Sequence, residues 1–432
     1  MLIFSFSNIL RYKYEVIFFS CLIIHGLFAL LFPASGYDLC GDSYTYIQNA
    51  DKVTHGNFDF EEPSFIRSPF YSILIGIIKI LTPAYWEFVL ITFQLLISAT
   101  TGIYLAKISG KIFPYQNTGL ITGLLFAVYI PTFYYVHSYS TEILYQGLFV
   151  AGLYFFIESI NKYDLISVLK WAFCFTICYL TRSQIGLFFP FIPFILWFYY
   201  KNQKKQLISI LIVFSFVFAI LTFPWGIFNL KKHNSYITSS NGGSYHFFVS
   251  NSDIGFMDAS NTPPIGSTDM ENLQKMRFGK LIGPVYDSVL ALPTLEKQKV
   301  FLKMSLDWIK ENPAKFIKLK MFNAFRFLIP GVSWKHYPFK TWLFSFFISL
   351  PVYLLFYFGL YKCLKTNYKN HLWFLGWWLS NATFLLLFLF TQRYRTYGVE
   401  ALFLPYCAYS LSLLAKRLGY RGIGVSGSNG LL

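Results

Sequence analysis

Charge is scarce in this chain. Asp, Glu, Lys and Arg make up 13% of its 432 residues, against about a quarter in soluble domains. Acids are scarcer still, 20 against 36 basic residues, which leaves a net charge of +16. A globular domain with a solvated surface is thereby excluded. The basic excess falls in short clusters between apolar runs, with no continuous groove, which excludes a nucleic-acid partner. Metal-ligand spacing is also missing. The six cysteines (Cys21, Cys40, Cys174, Cys178, Cys363, Cys407) form no CxxC or Cys/His pattern. Cys174 and Cys178 lie one helical turn apart in an apolar run and read as packing residues. Internal repeats and a disordered linker are absent, and no cleavable signal peptide stands out. The first apolar run, 15–34, is long enough to remain as an anchor.

What is present is apolar bulk, 55% of the chain, arranged in runs long enough to cross a bilayer as helix. The candidate spans are 15–35, 85–106, 118–136, 141–159, 164–181, 184–200, 206–228, 339–361, 371–391 and 398–415. Basic clusters sit at alternate ends: Arg11 and Lys13; Lys107 and Lys111; Lys162; Lys201, Lys204 and Lys205; Lys362, Lys365 and Lys369; Lys416, Arg417 and Arg421. With ten spans every cluster falls on the cytoplasmic side, and so do both termini. Segment 69–82 (PFYSILIGIIKILT) is too short to cross a core of about 30 Å at about 1.5 Å per residue. Segment 314–329 mixes Lys315, Lys318, Lys320 and Arg326 with Phe and Leu, the pattern of an interfacial helix. The expected fold is thus an all-α polytopic membrane protein with about ten transmembrane helices. To these it adds juxtamembrane helices in a first outer loop and an interfacial helix near 314–329. An N-terminal module, 1–230, carries that acidic loop, 36–84. A second outer segment, 231–338, precedes the C-terminal helices, 339–415, and a cytoplasmic tail, 416–432.

This topology gathers a short set of polar groups at the outer face. Asp38, Asp42 and Arg67 lie in the first loop. His137 and Glu142 flank one turn, Arg182 follows another span, and Arg393 and Arg395 share a third turn. Arginines in short outer turns run against the positive-inside trend and carry a cost unless paired or solvated. Their planar forks suit phosphate oxygens. A carboxylate facing such cations suits sugar transfer from a lipid phosphate, since it accepts the attacking hydroxyl's proton while the cations stabilise the departing phosphate. Blander readings stand beside each residue. Asp42 suits a helix N-cap, Arg67 and Arg182 suit headgroup anchoring, Glu142 suits capping, and Asp38 and the Asp59-Phe-Glu61-Glu62 run suit a wet loop, the run having a cation site as its sharper alternative. His137 and His246 read as structural.

The residues also resemble a family. Asp42-Ser-Tyr-Thr-Tyr46 through Ala50, then Gly56 and Arg67-Ser-Pro69-Phe-Tyr71, is similar to the first outer loop of GT-C glycosyltransferases. The branch it resembles contains the protein O-mannosyltransferases and the lipid A aminoarabinose transferase. Thr141-Glu142, Thr181-Arg182, Phe223-Pro224-Trp225 with Asn229, the small-Gly-Gly stretch within 238–251, Asn312-Pro313 and Arg393-Tyr394-Arg395 follow in the family's order. The resemblance implies an inverting transfer from a polyprenyl-phosphate sugar at the outer face, and the chain's size without accessory domains points to a bacterial inner membrane. It also implies Asp42 as general base, with Arg67, Arg182, Arg393 and Arg395 on the donor phosphate and Asp38, Tyr46 and Glu142 in support. No metal or other cofactor is expected, and the partners are membrane lipids and a glycan, lipid or protein acceptor. Ser43 stands where the mannosyltransferases carry Glu after the Asp, which disfavours protein O-mannosylation. Two other functions fit an apolar polytopic chain, a lipid-linked glycan flippase and an O-antigen ligase or polymerase.

Overall fold

A computed structural model describes residues 10–33, 42–62, 64–115, 117–253, 255–256, 288–332, 338–388 and 392–418, with backbone alone for 392–394. Among the described residues the chain is helical, and its one extended pairing is an isolated bridge between Glu61 and Ile66. The helices are α1 Lys13–Leu31, α2 Asp42–Thr54, α3 Phe70–Leu81, α4 Trp86–Ile112, α5 Thr118–Val128 and α6 Ile130–Phe133. Next come α7 Glu142–Asn161, α8 Leu165–Thr181, α9 Phe191–Tyr200, α10 Lys204–His233 and α11 Gly243–Ser250. The last group is α12 Thr294–Glu311, α13 Pro313–Leu328, α14 Phe339–Asn367, α15 Leu372–Leu387, α16 Gln392–Gly398 and α17 Phe403–Arg417. Among the described residues, six helical segments are long and apolar enough to cross a membrane, seven if the bent pair Thr118–Val128 and Ile130–His137 counts as one. The chain is an all-α polytopic membrane protein.

Three expected spans differ in form. The run 118–136 bends by 73° between α5 and the segment beginning at Ile130. Pro131 supplies the reason: it lacks the N–H a continuous helix would use, and its ring excludes the carbonyl one turn back. The run 184–200 opens as a 3₁₀ turn, Ser183–Leu187, and only Phe191–Tyr200 is α-helical. Pro190 and Pro193 fit the start of a helix and not its middle. The run 164–181 gives α8, an apolar helix below full crossing length.

One large cluster of buried apolar residues joins α1, α4, α5, α7, α8, α9, α14, α15 and α17. Aromatic faces supply much of it, such as Phe149 stacked on Trp377 at 3.7 Å and Phe356 on Phe403 at 3.7 Å. Helices approach most closely at small residues. A Cβ on Gly359 of α14 would lie 2.4 Å from the Tyr406 carbonyl oxygen of α17 and 2.6 Å from Ser410 Oγ. The basic turns share one end of the bundle. Lys111 at the end of α4 pairs with Glu158 at the end of α7, and the Tyr199 hydroxyl donates to the Lys369 carbonyl at 2.6 Å.

A smaller cluster lies at the opposite end and positions the first polar loop. In α2, Tyr46, Ile47, Ala50 and Val53 are buried, an amphipathic stripe at helical spacing. The stripe packs on Tyr71, Ile75 and Ile78 of α3. Gly76 is required at this crossing, since a Cβ there would meet Val53 Cβ at 2.7 Å.

Replacing Gly359 by Val forces α14 and α17 apart at a backbone carbonyl. The expected cost is about 1–3 kcal/mol, seen as a lower apparent melting temperature of the purified protein in detergent. An unchanged melting temperature would contradict the close crossing.

Candidate active site

The site is built from segments far apart in the chain. Asp42 opens α2, where the helix's positive N-terminal end favours a carboxylate. Tyr46 lies one turn on, on the same face. The chain then folds back through a short hairpin: Glu62 N–H donates to the Phe65 carbonyl at 2.9 Å, and Arg67 N–H to the Phe60 carbonyl at 3.2 Å. This hairpin sets Glu62 beside Arg67. The Arg67 guanidinium donates through Nη2 to Asp42 Oδ1 at 3.0 Å and through Nε to Glu62. It also lies over the rings of Tyr46 at 5.2 Å and Phe65 at 5.4 Å.

Asn241-Gly242-Gly243 brings a second wall onto the hairpin. Asn241 Oδ1 accepts from Ile66 N–H at 2.6 Å. A Cβ on Gly242 would sit 2.9 Å from the Phe65 ring, so glycine permits the approach. Gln298 of α12 donates to the Ser64 carbonyl at 2.6 Å and holds the hairpin from the other side.

The third contribution comes from the ends of α7 and α8. Arg182, just past α8, donates through Nη1 to Glu142 Oε1 at 2.8 Å and to the Tyr397 hydroxyl at 2.7 Å. Glu142 is fully buried at the start of α7. In such surroundings a lone carboxylate carries a large desolvation cost, so the pair is strongly interdependent. Gln184 continues the network to Asn381 at 2.8 Å.

These walls enclose a cavity of about 860 Å³, and Asp42, Tyr46, Glu62, Arg67 and Arg182 all line it. The volume suits a small-molecule group. Leu187, Leu290, Phe384 and Phe388 also line it, so apolar and charged groups share its walls. Burial opposes the Arg67 charge, but Asp42, Tyr46 and Glu62 outweigh that and tighten its hold on the proton. Burial pushes the Glu62 carboxyl above the ordinary carboxylate range, and Arg67 offsets only part of this. Burial, reinforced by Arg67, pushes the cavity residue His246 down to about 4.

Of the residues singled out in the sequence, Asp42, Tyr46, Arg67 and Arg182 meet in the cavity, and Glu142 stands behind Arg182. Asp38 lies outside the described residues, as does the side chain of Arg393, whose backbone is on α16. Arg395 is a correction. It is 1% exposed and does not line the cavity. Its Nε donates to Glu400 at 2.8 Å, and its Nη atoms donate to the carbonyls of Arg326, Ile329 and Gly331 at 2.6–2.7 Å. Tyr129 and Tyr353 donate to the same Glu400 carboxylate. This guanidinium ties α13 to the α16–α17 connection, away from the cavity lining. Sequence reasoning missed Glu62, Gln184, Tyr397 and Glu400. Glu400, a lone acid in an apolar stretch five residues past an arginine, carried the only signal for its pairing. The cavity carboxylates Asp42 and Glu62 are the groups that could take part in holding a metal, but both are already engaged by Arg67. The described group with metal-ligand spacing is Asp59, Glu61 and His233, outside the cavity lining.

No family model matches the sequence, and no curated protein is similar to it. Solved structures are. An Archaeoglobus fulgidus oligosaccharyltransferase tethered to an acceptor peptide containing the NVT sequon aligns with TM-score 0.55 and 13% identity, over 95% of this chain and 51% of that one. Oligosaccharyltransferase AglB from A. fulgidus, bound to an inhibitory peptide and a dolichol-phosphate, aligns with TM-score 0.55 and 13% identity, over 96% and 51%. An apo form of the A. fulgidus enzyme gives 0.57 and 13%, over 94% and 51%. The chain spans about half the length of these structures. At this identity the likeness is one of fold alone.

Two measurements check the assignments. Arg395→Ala leaves the Glu400 carboxylate buried without its cation and is expected to cost about 3–5 kcal/mol. Arg395→Met with Glu400→Gln is expected to recover much of the loss in melting temperature, and no recovery would contradict the pairing. For His246, the unfolded chain takes up a proton near pH 6.5 and the folded chain only near 4. Stability is therefore lost as pH falls through that window. His246→Asn is expected to flatten the fall of melting temperature between pH 7 and 4, and a slope identical to wild type would contradict the shift.

Proposed function

We propose that the chain is an inverting glycosyltransferase, moving a sugar from a polyprenyl-phosphate donor to a glycan, lipid or protein acceptor at the outer face of a bacterial inner membrane. The observation that carries this reading is the cavity itself, in which Asp42 meets Arg67 and Arg182 from segments 25 and 140 residues away. The shared fold with an oligosaccharyltransferase solved with a dolichol-phosphate supports a lipid-phosphate donor. The loop from Asp42 to Tyr71 supports the O-mannosyltransferase and aminoarabinose-transferase branch, with Ser43 arguing against protein O-mannosylation. The clustering of basic turns at the end of the bundle away from the cavity supports an outward-facing site with cytoplasmic termini.

In the proposed reaction the acceptor hydroxyl gives its proton to the Asp42 carboxylate as its oxygen attacks the anomeric carbon. The bond from that carbon to the phosphate oxygen breaks on the opposite face, and the electron pair departs with the phosphate. Configuration inverts, and one carboxylate suffices because the leaving group needs no proton. Arg182, held in place by Glu142 and Tyr397, and Arg67 stabilise the developing phosphate charge. Arg67 also fixes the direction of the Asp42 carboxylate. The apolar residues of the cavity wall receive the first isoprene units of the carrier.

The test is mass analysis of lipid-linked sugars and envelope glycans in cells lacking the protein, with complementation. One carrier-linked sugar is expected to accumulate. Asp42→Asn is expected to accumulate in the membrane at wild-type level while turnover falls about 10²-fold or more. Near-normal turnover would overturn the base assignment. Carrier movement across proteoliposomes with no glycosyl product would favour a flippase.

A further inference from the structure

His246 of α11 lines the cavity together with Asp42, Arg67 and Arg182, yet neither the base nor the phosphate needs it. The residue is half-buried. Its side-chain contacts with described residues are ring contacts, with Phe65 at 5.2 Å and Tyr245 at 5.5 Å between centroids. No hydrogen bond to a described residue occupies either ring nitrogen. Phe65 and Tyr245 also stack on each other, 5.7 Å apart at 29°, so the three rings make one aromatic wall.

The wall is held from several sides. His246 N–H donates to the Gly242 carbonyl at 2.9 Å, and Tyr245 N–H donates to Gln298 Oε1 of α12 at 3.3 Å. Phe248 stacks on Phe301 of α12 at 5.3 Å. Asn251, just past α11, donates to the Leu387 carbonyl of α15 at 2.7 Å. Gly242 leaves room beside the imidazole, since a Cβ there would lie 3.3 Å from His246 Nε2. A side chain fixed this way gives up little freedom when a ligand arrives.

Its surroundings say what that ligand is. Arg67 and Arg182 oppose a proton on the ring and Asp42 favours one, so the imidazole stands within electrostatic reach of the base and of both phosphate cations. In an inverting transfer the space between base and departing phosphate belongs to the sugar. With its proton lost down to about pH 4, the ring is uncharged at neutral pH and adds no third cation for a phosphate. It offers one N–H donor and one acceptor nitrogen, the complement of a hydroxyl. Flanking aromatic rings suit the C–H faces of a pyranose. We infer that His246 is a specificity-determining residue, its imidazole hydrogen-bonding one hydroxyl of the donor sugar against the wall made with Tyr245 and Phe65. The assignment rests on the proposed lipid-phosphate donor. An epimer with that hydroxyl turned away leaves the imidazole unmet and is rejected.

The test is binding to the full chain in detergent, with probes of equal charge. These are the undecaprenyl phosphate esters of glucose, galactose, mannose and arabinose, and undecaprenyl methyl phosphate as the sugar-free diester. Wild type is expected to bind one sugar ester about fivefold or more tighter than the methyl ester and the other sugars. His246→Phe keeps an aromatic ring and removes both nitrogens. It is expected to bring the sugar esters within about twofold of one another, with the methyl ester bound as by wild type. His246→Asn, which keeps a donor and an acceptor, is expected to retain part of the preference. If His246→Phe does not yield a monodisperse protein, His246→Met gives the same readout. A preference left intact by these apolar variants, or all esters weakened alike, would overturn the assignment. Wild type binding the sugar esters no better than the methyl ester would overturn the sugar contact alone. Wild type binding neither class would remove the lipid-phosphate donor, and this role with it.

Discussion

The structure depends on guanidinium groups held at the end of an apolar bundle. A cation at such depth persists only when its donors are met. Arg67 is met by Asp42 and Glu62, Arg182 by Glu142 and Tyr397, and Arg395 by Glu400 and three carbonyls. Each set joins segments that chain connectivity alone would leave apart. The same interaction type serves two ends. Where the surroundings enclose the group completely, as at Arg395, it is architecture. Where one side opens onto a cavity, as at Arg67 and Arg182, it is a preformed anion site.

That difference also sets what the sequence could reveal. The spans were legible because twenty or so apolar residues between basic clusters have few alternatives in a bilayer. The Asp42–Tyr46 spacing and the arginines in short turns marked where polar groups must gather. The break after Val128 was less legible. Pro131 explains the break, but the 73° angle also depends on how both halves pack on α4 and α1, contacts that no local pattern shows. Arg393 and Arg395 looked alike in one turn, yet the partner that consumes Arg395 includes the chain around 326–331, which no local pattern foretells. Glu62 read as a solvated loop acid because its partner is reached only when the 61–66 hairpin closes.

The same hairpin ties the end of α10 to the cavity. Its leading strand offers Asp59 and Glu61 to His233, and its return strand offers Arg67 to Asp42. Alternate side chains of an extended segment point to opposite faces. Glu61 can therefore face the end of α10 while Glu62 faces the cavity. Gly242 lets the second polar segment close over this hairpin, and Gln298 pins it from α12. A loop built this way has little freedom, which suits a base that must be aimed at an acceptor oxygen.

The central claim is that Asp42, Arg67 and Arg182 converge on one phosphate-bearing ligand. A cryo-electron microscopy structure of the full chain with a polyprenyl phosphate tests it most directly. The account expects the phosphate against the guanidinium groups of Arg182 and Arg67, with the Asp42 carboxylate on the opposite side of the space left for the sugar and the isoprenoid leaving past Phe384 and Phe388. A phosphate seated elsewhere, for instance on the lysines of α13, with Asp42 out of reach of its sugar position, would contradict it.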